Sequence, residues 1–86
     1  MKYYLLWILT RCGDSEFTQP TSTALGDEIT IEERKKDIVT NWYANEYMEN
    51  YDSDGVAWFD CGNAVICDRC TEITQEEYDT FQKYYI

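Results

Sequence analysis

The chain has no histidine among its 86 residues. That removes the commonest general base at neutral pH, the Ser-His and Cys-His nucleophile pairs and the usual ligands of zinc enzymes. Positive charge is also scarce. Seven Lys and Arg stand against 17 Asp and Glu, for a formal net charge of −10. Solubility of a small domain needs a magnitude of only about 2 to 8. A field of this sign repels nucleic acid and anionic membrane, and it attracts basic protein surfaces. No glycine-rich phosphate loop occurs. The longest apolar run, Tyr3 to Leu9, has 7 residues, where a membrane helix needs about 20. With Met1-Lys2 before it and Thr10-Arg11-Cys12 after it, this run has the outline of a lipoprotein signal. Arg11, however, stands where a small residue should precede the lipidated cysteine. A cytoplasmic protein without membrane contact is expected.

Large side chains are plentiful. Aromatics make up 16% of the chain and hydrophobic residues 44%, which argues for a packed globule despite the charge. One domain of this length buries about 60–65% of its unfolded surface, so a few bulky residues must carry the core.

Lys2 to Cys12 reads as a strand covered on both faces, because Tyr3/Leu5/Trp7/Leu9 and Tyr4/Leu6/Ile8 are both apolar sets. Gly13-Asp14-Ser15 ends it. Residues 16–28, with Pro20 and a Thr-Ser-Thr run, read as a long loop with room for a short strand around Phe17. Thr30-Ile31-Glu32-Glu33 is a capping box that predicts a helix from Ile31, with Ile38, Val39 and Trp42 inward and an end near Ala44. Asp52-Ser53-Asp54-Gly55 is a turn. Val56–Cys61 and Ala64–Cys70 read as a hairpin closed by Gly62-Asn63, which sets Phe59 opposite Ile66 and Trp58 opposite Cys67. Thr74-Gln75-Glu76-Glu77 caps a last helix with Tyr78, Phe81 and Tyr85 inward. The expected fold is α+β over residues 1–86. It has an antiparallel or mixed sheet of three strands, with a fourth allowed, and two helices in the order β-α-β-β-α.

Cys61-x5-Cys67-x2-Cys70, with Cys12 upstream, offers four thiolates for zinc, but only one short Cys-x2-Cys hook is present. Small buried thiols are the favoured reading, with no cofactor. The Cys61/Cys67/Cys70 spacing resembles the cluster of vertebrate-type two-iron ferredoxins. That family needs a fourth cysteine downstream, and none occurs between Cys70 and Ile86. Asn50-x-Asp52-x-Asp54-Gly55 echoes half a calcium loop, but Cys61 stands where the bidentate glutamate belongs.

Two acidic clusters remain as candidate partner-binding sites: Glu46, Glu49, Asp52 and Asp54, then Asp68, Glu72, Glu76, Glu77 and Asp79. Tyrosines Tyr43, Tyr47 and Tyr51 fit two roles equally, anchoring a partner or packing under the hairpin. The expected function is not enzymatic. A rigid acidic domain can block the groove of a nucleic-acid-binding protein in place of DNA or RNA. Small phage anti-defence inhibitors, anti-CRISPR proteins among them, are similar in size and charge. The alternative is a structural or adaptor module, with zinc at the four cysteines. An open sheet edge would also allow a homodimer by strand addition.

Overall fold

The computed structural model describes residues 1–43, 48–59 and 62–85. It has five strands, not three or four: β1 (Lys2–Cys12), β2 (Ser15–Leu25), β3 (Met48–Tyr51), β4 (Val56–Phe59) and β5 (Ala64–Ile73). Helix α1 (Ile31–Thr40) lies between β2 and β3 in sequence, and α2 (Gln75–Tyr85) follows β5. The sheet order is β2-β1-β5-β4-β3, and every pairing is antiparallel.

The loop expected over 16–28 is mostly the second strand. Gly13-Asp14 is a two-residue hairpin turn with Gly13 at φ 62°, the left-handed first position that glycine alone takes at little cost. From Cys12↔Ser15 the register runs unbroken to Lys2↔Leu25. Pro20 lacks an N–H, so it reads as a loop signal. On an edge strand it is tolerated, because the missing donor can face solvent. Only Thr23 and Leu25 of β2 are buried, so an edge strand shows little apolar alternation to read.

The other additional strand, β3, follows a helix that ends earlier than its apolar pattern suggests. The Asn41 N–H and side-chain amide both donate to the Asp37 carbonyl, and the Thr40 hydroxyl donates to the Lys36 carbonyl. These bonds occupy the last-turn carbonyls at Thr40 rather than Ala44, which lies outside the described residues. The β4–β5 turn is one residue longer than expected. The Gly62 N–H donates to the Phe59 carbonyl, and the Phe59 N–H to the Asn63 carbonyl. Gly62 sits at φ 85°, the glycine position that closes a three-residue loop. The register is therefore Trp58↔Ala64, Ala57↔Val65 and Val56↔Ile66. This slip is odd, so it turns Phe59 away from Ile66, onto the face that Val65 shares.

Each strand presents alternate residues to opposite faces. On one face Leu6, Ile8, Ala57, Phe59 and Val65 are buried with Val39 of α1. Ile38, Trp42 and Tyr43 close around them, with Tyr43 edge-on to Phe59 at 5.1 Å. Arg34 ties α1 to β2 through a 2.9 Å bond to the Thr23 hydroxyl. On the other face α2 packs over β1 and β2. Tyr78 lies 4.9 Å from Tyr3, and Gln82 donates to the Ser22 hydroxyl. Both bonds of the second capping box form, between Thr74 and Glu77.

Among the described residues Phe59 is the largest fully buried side chain. Phe59→Ala should cost about 3–5 kcal/mol, a large part of a total near 5–10 kcal/mol for so small a domain. Urea unfolding followed by tryptophan fluorescence measures this. A loss below about 1 kcal/mol would contradict the core as described.

Candidate interaction surface

The described residues expected as acidic clusters lie on β3, the β3–β4 turn, β5 and the N-terminal half of α2. Glu46 and Tyr47 lie outside the described residues. Glu49 is exposed on the edge strand β3, at a bulge between the Met48↔Phe59 and Asn50↔Trp58 pairs. Asp68 is the extra residue of a second bulge, where Trp7 faces Arg69 but Ile8 faces Cys67. Glu72 lies opposite Tyr4, towards the α1 side. Glu76 is exposed at the start of α2, on the opposite side. Asp54 and Tyr51 line a small hollow beside Glu32 and Lys35 of α1. The Tyr51 ring also carries the Lys36 ammonium 5.2 Å from its centroid, so this tyrosine is engaged within the fold.

Asp52 has a local structural duty. One carboxylate oxygen accepts the N–H groups of Asp54 and Val56, each at 3.0 Å, and the other accepts the Trp58 indole N–H at 3.0 Å. The Gly55 N–H closes the same turn on the Asp52 carbonyl, with Gly55 at φ 84°. The indole bond first, then the bond from Val56, holds the carboxyl below its ordinary range. Ringed by donors, this carboxylate is a turn staple; the calcium-loop echo marks a tight turn.

Cys12 does not converge with Cys67 and Cys70. Cys12 ends β1 four residues beyond Ile8, the partner of Cys67, or about 13 Å along the strand. Two thiolates on one zinc lie within about 4.6 Å of each other. Cys61 lies outside the described residues. Among the described residues no three Cys, Asp or Glu side chains group to hold a metal. The bulge at Asp68 does bring Cys67 and Cys70 to one face, opposite Ile8 and Leu6. Burial pushes both thiols up, and Cys70 adds to the effect at Cys67. Both are therefore protonated, weakly nucleophilic thiols at neutral pH.

The surface that sequence reasoning missed lies on the α2 side of the sheet. Two cross-strand rows meet there: Leu9–Ile66–Val56 and Arg11–Ala64–Trp58. Together with Asp68 they line a hollow of about 250 Å³. Trp58 keeps 38% of its surface exposed. A second hollow, about 430 Å³, runs between α2 and the sheet along Leu5, Ile73, Phe81 and Tyr84, with Glu76 and Glu77 on its rim. The available signal was the doubly apolar β1, whose Tyr3/Leu5/Trp7/Leu9 face is longer than one short helix covers.

Among the described residues no helix is long and apolar enough to cross a membrane. Comparison with protein-family models, curated proteins and solved structures gives no match in any of the three.

Because its folded pKa is lowered, Asp52 should stabilise the turn fully above the ordinary carboxylate range. That contribution should fade as pH falls from there towards the folded value. The Trp58 indole N–H resonance should report this titration, and Asp52→Asn should abolish it. An indole resonance that does not respond to acid would refute the staple. Alkylation of Cys67 and Cys70 at pH 7.5 should be slower in the folded chain than in urea. Equal rates would contradict their protection.

Proposed function

We propose that this chain is a small acidic binding protein that occupies a basic, nucleic-acid-binding surface of a partner protein and blocks it sterically and electrostatically. The observation that carries the reading is the unneutralised charge. Among the described residues only Arg11–Glu16 and Lys35–Glu32 form ion pairs. Arg34 is bonded to a threonine, and Lys36 and Lys83 lie over tyrosine rings. Exposed carboxylates stand on β3, β5 and both helices.

Such a charge density opposes compactness through self-repulsion, a cost that a partner's Lys and Arg would relieve. A nuclease, polymerase or repressor groove offers those groups at phosphate spacing. Association would be fast and steeply salt-dependent. The cytoplasm is the compartment this reading requires, and a phage anti-defence role, anti-CRISPR activity included, is one setting for it. The chain would not bind nucleic acid itself.

A second reading, an adaptor module, is favoured by exposed Trp58 and the half-buried Leu9, Val56 and Ile66 beside it, and would make its contact there. Salt separates the two readings.

The variant Glu49→Lys/Asp54→Lys/Asp68→Lys/Glu76→Lys changes four exposed positions, two of them on the α2 side. Each reversal adds two charges, so the net moves from −10 to −2. It should keep the wild-type circular dichroism. It should also lose at least about 100-fold in affinity for a partner captured at low salt, because like-charge contacts cost several kcal/mol. DNA or RNA should displace that partner from the wild type. Capture that survives both the reversals and 1 M salt would reject electrostatic occlusion.

A further inference from the structure

The α2 side of the sheet has a helix over one half only. Helix α2 covers β1 and β2 through Tyr78 and Gln82. Over β5 and β4 the rows Leu9–Ile66–Val56 and Ala64–Trp58 are left without a helix. Leu5, Trp7 and Leu9 are successive residues on this face of β1. Leu5 lines the α2 groove and Leu9 the Trp58 hollow, so Trp7 lies between the two depressions. Leu5 to Leu9 spans about 13 Å. Apolar residues at i and i+7 of a helix lie about 10.5 Å apart, so a helix laid along this track could place one anchor in each depression.

Charge indicates which helix this would be. Glu76 and Glu77 rim the groove at one end. Asp68 lines the hollow at the other, where Asp52 is bonded to Trp58. Of the cations on this face, Arg11 is already closed onto Glu16 at 2.7 Å and Lys83 lies over Tyr84, while Arg69, exposed opposite Trp7, keeps its charge between the two depressions. Carboxylates at both ends of an apolar track complement an amphipathic helix with Lys or Arg flanking its apolar stripe. A second copy of this chain would bring another net −10 to the same face, and the repulsion opposes it.

We infer that this face is the seat of a cationic amphipathic helix of the partner, lying beside α2 with one anchor against Trp58 and one beneath Phe81. The inference rests on the acidic-binder reading and locates its contact.

The probe is a synthetic Leu/Lys helical peptide with leucines at i, i+3, i+4 and i+7. Its controls are a peptide of the same composition with shuffled leucines and a Leu/Gln peptide of the same pattern. Binding to the full chain is read by tryptophan fluorescence and by amide shifts. The patterned cationic peptide should bind at least about tenfold more tightly than the shuffled one. It should shift β4, β5 and α2 rather than α1, and weaken several-fold as salt rises. Ile66→Lys should reduce binding at least tenfold. Trp58→Ala, at a more exposed position, should reduce it as well and serves if Ile66→Lys does not fold. Equal binding of the shuffled peptide, shifts centred on α1, or folded variants that bind like wild type would overturn the seat while leaving acidic occlusion to the reversal experiment. A Leu/Gln peptide that binds as tightly at this face would overturn the cationic helix and count against the acidic reading itself.

Discussion

The structure depends on covering one strand from every side. β1 is apolar on both faces, so neither can be left to water without losing about 25 cal/mol for each Å² exposed. Its edges are taken by β2 and β5. Its Leu6/Ile8 face is buried with Val39, and part of its Tyr3/Leu5 face lies under α2. The capping boxes, the bulge at Asp68 and the left-handed glycines at 55 and 62 all help bring cover to this strand. The cover thins beyond Trp7, where Leu9, Val56 and Ile66 are only half-buried and Trp58 is exposed.

Much of this was legible in the residues. The two faces of β1 imply a flanked strand, and the capping boxes locate both helix starts, at Ile31 and Gln75. The two unseen strands lacked an apolar code. β2 is an edge strand rich in Thr and Ser, with Pro20 where the absent N–H costs no ladder bond. β3 is only four residues long, and its Met48 and Tyr51 fit a helical face as well as a strand. The β4–β5 register differs from the expected one by three positions, Trp58 pairing with Ala64 rather than Cys67, because Gly62-Asn63 reads as a two-residue turn whereas Gly62 is the last residue of a three-residue loop.

The site was less legible than the fold, because charge in a sequence carries no direction. Asp52 looked like one acid in a cluster, yet its oxygens are occupied by two backbone N–H groups and an indole. Tyr43 and Tyr51 fitted a partner anchor and a packing role equally well, and they pack against the core. Trp58 drew attention only as a hairpin residue, since its half-exposure follows from a register that pairs it with Ala64. Acids that remain exposed, such as Asp68 and Glu76, gain meaning from the apolar track between them.

The pairing of β1 with β5 joins Tyr3 to Ile73, positions 70 residues apart in the chain. The β1–β2 hairpin and the β3–β4–β5 meander each close over short turns, so each can form from its own stretch of sequence. Closing the long loop between them is the slow, entropically costly event. Contact order therefore favours assembly as two ribbons that meet last, along the β1–β5 seam. Until they meet, the apolar faces of β1 lie open on a ribbon whose outer strand has Pro20 at its middle. That proline interrupts the outer row of donors when stray strand pairing is the main hazard. The same residue that hid β2 from sequence reading thus protects the half-made sheet during folding.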